Sequence, residues 1–500
     1  MNVIILHADQ LRYDGVGCCG NPHAVTPNID MLAADSCVFD RHIVANPVCM
    51  PSRASLMTGL YPPGHNVWTN GVPLNRSEYV RRDTKYLGAE SFREPATVAE
   101  VFAASGYDTA LFGKLHLTPN IAPLEYGFQE CWGNWARGDF DDWHGPYYGF
   151  RHVDNTCGHG EQPCLNGHYS LWLRKEHPDL FKRLSKGEKA APSPIHKMKD
   201  LYPSLVPTEL HYDNWLAGRF ESYLEKERPK DKPFLAFIGF PDPHHPFTPS
   251  YDAASLFKDA DVSTPNDSDN KGMSDSPSRE IVQNSTVVST LSEEERRIIS
   301  RYTYAMVYQI DLAVGRIVSA LKRNGMWDDT VIVFTSDHGD FLCDHGCLYK
   351  GLVGFDTLLH VPFIMRIPGS GLPRRVAAPM SNCDVMPTLA SVAGVPLTGK
   401  IHGRDIIKAV NDGDATDAMA YCFDGDPAKT NITLYDKQYR MTYFPDSDFV
   451  ELFNHTEDPG ELRNIGKSGK GKKLAQDFKR IMGDRMLSHN NPILNRLGAW

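Results

Sequence analysis

Apolar and polar positions fall into two periodicities along this chain. Four short apolar runs, at residues 3–6, 109–112, 234–238 and 331–334, are continuous rather than alternating, as in strands buried on both faces. Each run is followed within a few residues by polar side chains: Asp9 and Gln10, then Lys114 and His116, then His244, then Asp337 and His338. Ligands of open α/β sheets bind beyond the carboxyl ends of the strands, so the pattern predicts that these four groups meet in one crevice. Helical periodicity fills the intervals, the alternation an α/β fold requires. The clearest helix starts at Ser292, with Glu295 three residues on at capping-box spacing. It continues through Ile298, Tyr302, Met306, Ile310, Val314 and Ile317 until Gly325 stops it.

Elsewhere the pattern weakens. Residues 259–280 (DADVSTPNDSDNKGMSDSPSRE) lack apolar periodicity and predict a surface insertion, with a lid over the crevice as the sharper alternative. After Pro368 a Gly/Pro-rich turn leads to CDVMPTLASVAGVP, a helix suited to closing the main domain. The alternating stretch 438–444 and the DPGEL turn at 458–462 predict a small C-terminal sheet followed by a last helix. The expected organisation is a catalytic domain over 1–375, carrying the 259–280 insertion, and a C-terminal region over 376–500.

Composition narrows the class. The 500 residues are 41% hydrophobic and 23% charged, values of an ordinary globular chain, and no apolar run approaches the ~20 residues of a membrane span. No membrane association is expected. The opening MNVIILHAD has no basic stretch or cleavage pattern and reads as a buried strand rather than a signal peptide, which predicts a cytoplasmic location. Eleven scattered cysteines argue for reduced thiols rather than a disulfide framework, with Cys157 and Cys164 the pair to watch. A net charge of −10 without a large Lys/Arg cluster argues against nucleic acid as a partner, but does not exclude a small anionic substrate.

Candidate chemistry concentrates around Cys49. Pro51 suits the first turn of a helix, which places Cys49 at a helix N-terminus, where free N–H groups and the dipole favour an anion. Arg53, one turn on, adds a fixed positive charge. A buried structural cysteine is the plain alternative. Cys49-Met50-Pro51-Ser52-Arg53, however, resembles the Cys-x-Pro-Ser-Arg signature of type I sulfatases, members of the alkaline phosphatase superfamily in which a dedicated enzyme oxidises the cysteine to formylglycine. A second signature of that family is similar to residues 106–116 (GYDTALFGKLH). ILHADQLR, PHHPF and TSDHGD follow the family's order, so the resemblance spans nearly the whole chain.

The resemblance implies a large mixed sheet sandwiched by helices with a smaller C-terminal α+β subdomain, and a hydrolase that releases sulfate from an aryl or carbohydrate sulfate ester. It implies Asp9, Gln10, Cys49, Asp337 and His338 as metal ligands. Lys114 and Lys350 would clamp sulfate oxygens, His116 would assist the formylglycine hydroxyls, and His244 would bind sulfate or protonate the leaving oxygen. Arg53 would complete the set. Family members typically carry Asp-Asp and Asp-Asn where this chain has Asp9-Gln10 and Asp337-His338. The lost carboxylate and added imidazole leave calcium the expected ion, with manganese, magnesium or zinc as alternatives. A formylglycine-generating enzyme is the implied transient partner, and oligomeric state is left open, a homo-oligomer included. Gln10 and His338 lean towards a phosphonate monoester or phosphodiester hydrolase of the same superfamily, whereas Lys114 and His116 lean back towards a sulfatase. A non-catalytic glycan-binding relative is the remaining alternative. The aromatic and acidic stretch 132–150 is either a pocket lining or a packed surface loop.

Overall fold

The computed structural model describes residues 1–74, 94–262, 275–283 and 288–490. Fourteen strands are found among them. They are β1 (Asn2–Ala8), β2 (Cys37–Phe39), β3 (His42–Ile43), β4 (Asp108–Gly113), β5 (His152–Asp154), β6 (Phe234–Gly239), β7 (Thr330–Ser336), β8 (Phe363–Arg366), β9 (Arg375–Val376), β10 (Met380–Ser381), β11 (Ala418–Cys422), β12 (Asn431–Tyr435), β13 (Tyr439–Phe444) and β14 (Phe449–Asn454). The central sheet runs β5-β4-β6-β1-β7-β8-β2-β9. Four consecutive inner strands, β4-β6-β1-β7, are the four apolar runs, all parallel, and only β8 runs antiparallel to its neighbours β7 and β2.

Alternate residues of each of these inner strands feed opposite cores, which is why the runs must be apolar throughout. Val3, Ile5, Leu111, Phe237 and Val333 pack on one face, with Met50 and Ala54 of the helix Cys49–Thr58 and Leu389 of the helix Val385–Ala393. Ile4, Leu6, Phe112, Ile238 and Phe334 pack on the other, against the helices Tyr212–Ser222 and Glu293–Arg323. The latter helix carries the expected capping box, Ser292 with Glu295, and buries Met306, Ile310, Val314 and Ile317. Fully burying each such side chain is worth about 1.5–3 kcal/mol, so this face fixes the helix far more firmly than its propensity does.

The C-terminal sheet is antiparallel, β11-β12-β13-β14, and is covered by the helix Gly469–His489. Within it Arg440 is fully buried between Glu451 (3.2 Å) and Glu461. Residues 263–274 of the expected insertion lie outside the described residues. The end of that stretch is not a plain surface loop: a helix, Pro277–Gln283, buries Ser278 and packs Val282 against Phe341, Val353 and Phe355. Ser276 donates to Glu451. The apolar residues that dock this helix, Ile281 and Val282, lie just past the polar run, which is why periodicity within the run missed it. No described helix is long and apolar enough to cross a membrane.

Candidate active site

Register brings the four strand ends to one level, with His7 opposite both Gly239 and Thr335 and Gly113 opposite Gly239. Two glycines permit an unusually close approach there. A Cβ on Gly113, whose φ is +89°, would lie 2.1 Å from Gly239 O, and one on Gly239 would lie 2.0 Å from Lys114 O. Lys114 is therefore set directly beside β6, fully buried, with its ammonium paired to Asp9. Burial pushes the Asp9 carboxyl up, but Lys114 foremost, with His244 and Arg53, holds it well below the usual carboxylate range. Arg53 donates from Nε to Asp337 Oδ2 (2.7 Å) and from Nη1 to Lys114 O (2.9 Å), locking the helix Cys49–Thr58 to the ends of β4 and β7. Its Nη2 has no hydrogen-bond partner and lies 3.7 Å from Asp9 Oδ2.

Cys49 occupies the first turn of its helix, after the extended Val48, and is completely buried. Its Sγ lies 3.1 Å from Lys350 Nζ, 3.2 Å from His338 Nε2 and 3.8 Å from Asp9 Oδ1. Burial raises the thiol, yet Lys350, His338 and Lys114, with a hydrogen bond from His116, outweigh it and hold the group well below the ordinary thiol value. Lys350 also donates to Gln10 Oε1 (3.1 Å) and meets His244 Nε2 at 2.7 Å. Burial, then Lys350, holds His244 down to about 4, so its imidazole is neutral at pH 7. Every side chain singled out at the strand ends, together with Cys49, Arg53 and Lys350, is thus gathered in one crevice.

The structure adds residues that the sequence did not mark. His116 sits at φ +57°, and the strained segment is held by Glu130, which is 1% exposed. Glu130 accepts the N–H groups of His116, Leu117 (2.9 Å) and Thr118 (3.2 Å) and the hydroxyl of Tyr147 (2.8 Å). His159 stacks flat on His244, ring centroids 3.7 Å apart. Asp340, the last residue of the TSDHGD motif, accepts from the Gln10 amide, and burial pushes its carboxyl up to about 6. Motif order marks Asp340 in hindsight, but no local signal marks Glu130 or His159. In the 132–150 stretch, Trp135 and Tyr148 are buried, and Tyr147 serves Glu130 rather than an open pocket. All eleven cysteines are free thiols, Cys157 and Cys164 included.

The donor set suits a divalent cation. One ligand atom each from Asp9, Cys49, Asp337 and His338 lies within 4.8 Å of the others, all in buried side chains. His338 Nδ1 meets Gly339 O at 2.8 Å, which leaves Nε2 turned towards Cys49. Gln10 stands beside this group: its N–H holds Asp337 Oδ1 at 2.9 Å, while its side chain faces Lys350, His245 and Asp340.

Comparison with known proteins gives the family of the chain. The sulfatase family profile matches residues 1–395, and that of the N-sulphoglucosamine sulphohydrolase C-terminal region matches residues 343–487. An arylsulfatase of Clostridium perfringens is 25% identical over 494 residues, covering 96% of this chain and 93% of that protein. A multifunctional alkaline phosphatase superfamily protein, PehA, of Trinickia caryophylli is 26% identical, covering 98% and 95%. The crystal structure of the phosphonate monoester hydrolase of Agrobacterium radiobacter superposes with a TM-score of 0.75 at 24% identity, covering 98% and 96%. The mixed α/β fold, with its mostly parallel central sheet and C-terminal antiparallel sheet, is shared with such structures. The chain therefore belongs to the sulfatase family of the alkaline phosphatase superfamily, hydrolases of sulfate esters that generally work with a metal ion and formylglycine.

Proposed function

We propose that this chain releases inorganic sulfate from an aryl or carbohydrate sulfate through a formylglycine formed at Cys49. The observation that carries the reading is the setting of Cys49: a buried helix N-terminus facing Lys350, Lys114 and His338, with Asp9 and Asp337 alongside. That field suits a tetrahedral anionic group more than it suits a structural thiol. Asp9, Asp337, His338 and the oxidised Cys49 side chain would hold a divalent ion, with calcium the first choice and manganese, magnesium and zinc as alternatives. When present, the ion supplies Lewis-acid charge, and the hydrated aldehyde supplies one hydroxyl for attack on sulfur and a second for release.

The chain's own groups carry the rest. Lys114 and Lys350 neutralise charge building on the sulfuryl oxygens, and Arg53 keeps Asp337 in place for the ion. His116, which acts on the Cys49 side chain, would take the proton of the second hydroxyl. His244, whose Nε2 meets Lys350 Nζ at 2.7 Å, would bind the sulfuryl group or protonate the leaving oxygen. A formylglycine-generating enzyme is the maturation partner this reading requires.

A second reading, hydrolysis of a phosphonate monoester or phosphodiester, is favoured by Gln10 and His338. Sulfuryl and phosphoryl groups share a tetrahedral geometry, and Gln10 presents an amide where a further carboxylate would repel an anionic ester. Matured enzyme assayed on an aryl sulfate and a phenyl phosphonate ester separates the two. The sulfatase reading expects the sulfate to have the higher kcat/KM and Cys49→Ser to stop turnover with the fold intact. A preference for the phosphonate reverses the assignment, and sustained multiple turnover by Cys49→Ser removes the nucleophile.

A further inference from the structure

A second group of ligating side chains lies outside the set around Cys49. His211, at the N-cap of the helix Tyr212–Ser222, Asp213 in its first turn, and Asp242, just after β6, are all buried, at 1%, 0% and 0% exposure. One ligand atom from each lies within 4.8 Å of the others. Both oxygens of Asp213, Oδ2 of Asp242 and Nε2 of His211 have no hydrogen-bond partner. His211 Nε2 faces Asp242 Oδ2 at 4.0 Å, and its Nδ1 lies 3.5 Å from Asp213 Oδ2. The remaining oxygen of Asp242 accepts from the Tyr212 hydroxyl.

Two carboxylates taken out of water cost several kcal/mol each unless something neutralises them. Here His211 is their only basic neighbour at ion-pair distance among the described residues. Burial holds that imidazole below its ordinary value, so it is neutral; its Nδ1 accepts the Asp213 N–H at the long distance of 3.5 Å, a contact that must give way for Nε2 to take an ion. The other charged groups acting on His211 are Asp252 and Glu161, both acidic.

We propose that His211, Asp213 and Asp242 bind a divalent ion of the zinc or manganese class, separate from the ion site at Cys49. Two carboxylates and a neutral imidazole balance a charge of +2. One nitrogen and few oxygens in a dry pocket suit zinc or manganese, whereas calcium takes about 6–8 oxygens. The ion would join the helix Tyr212–Ser222 to the loop that carries His244. Because the Asp242 carbonyl accepts the Asp9 N–H at 3.0 Å, the same ion would also steady the end of β1.

The test counts zinc and manganese per chain by mass spectrometry after loading and exhaustive dialysis of the full chain. It compares the wild type, Asp9→Asn/Asp337→Asn, which disables the site at Cys49, and that variant with Asp213→Asn added. The expected result is roughly one tightly held ion in the double variant and none in the triple variant, because such sites bind only with their ligands intact. A double variant without metal, or a triple variant that keeps it, overturns the proposal. So does Asp213→Asn alone raising Tm with metal content unchanged, since a proton shared by two carboxyls would then be the neutralising agent. Should the triple variant fail to fold, the double variant with His211→Gln added decides: loss of the ion supports the site, and an ion retained at the same stoichiometry refutes it.

Discussion

Glu130→Gln tests whether the His116 segment is held from behind. Oε2 of Glu130 is shared by Leu117 N–H, Thr118 N–H and the Tyr147 hydroxyl, while Oε1 takes the His116 N–H. A glutamine whose carbonyl keeps the first three contacts must turn its NH2 on the His116 N–H, donor against donor. One buried, unsatisfied donor costs about 1–3 kcal/mol, and the change from charged to neutral acceptor weakens the rest, so a total of about 2–4 kcal/mol is expected. The loss falls on a residue already at φ +57°, which relaxes if unsupported. A displacement near 1 Å can cost ~10²-fold in rate. Steady-state assay on an aryl sulfate should give kcat lowered about 10–100-fold with KM changed little, and Tm should fall measurably while far-ultraviolet circular dichroism is retained. A variant with kcat within twofold of the wild type and the same Tm would refute the argument.

Other perturbations reach different parts of the structure. Gly239→Ala drives a Cβ to 2.0 Å from Lys114 O, so β4 and β6 must part; a loss of about 1–3 kcal/mol by denaturant unfolding is expected, together with weakened activity. Arg440→Met leaves Glu451 buried without its cation and Glu461 with only the His455 imidazole at 2.8 Å, and should cost about 3–5 kcal/mol in the same measurement; an unchanged midpoint would contradict the reading. His65, whose Nδ1 accepts from Val67 N–H (3.1 Å) and whose Nε2 meets Ser55 Oγ (2.9 Å), is held down to about 3 by burial and by His402. Its folded value lies below the unfolded one, so its contribution to stability is complete above about pH 6.5 and is lost as pH falls towards 3, by at most about 1.4 kcal/mol per pH unit. His65→Gln should flatten the acid limb of the stability profile by about one proton, and an unchanged slope would contradict the assignment.

The sheet was legible because four of its strands, β4, β6, β1 and β7, are buried on both faces, which leaves continuous apolar runs such as 331–334. The same strands end at one level, so residues hundreds of positions apart, Asp9 and Asp337 among them, could be grouped from their place after each run. Lys350 and Cys49 follow no such run: Lys350 was found by resemblance, and Cys49 by its place before Pro51 and Arg53 together with the resemblance. Glu130 was invisible because its partners are backbone N–H groups, which carry no residue identity, and the stacking of His159 on His244 joins loops with no shared period. The cluster of His211, Asp213 and Asp242 was hidden for a related reason: at its N-terminus the helix Tyr212–Ser222 reads as an ordinary polar cap, and only packing against the end of β6 turns that cap inward.

The central claim is that Cys49 is the precursor of the nucleophile, and the mass of the tryptic peptide spanning residues 42–53 tests it most directly, in protein produced together with a formylglycine-generating enzyme. The account predicts a peptide in which the thiol sulfur has been exchanged for an aldehyde oxygen at position 49, reactive towards hydrazide probes. An unmodified thiol there, while a control substrate is converted by the same enzyme, would contradict it.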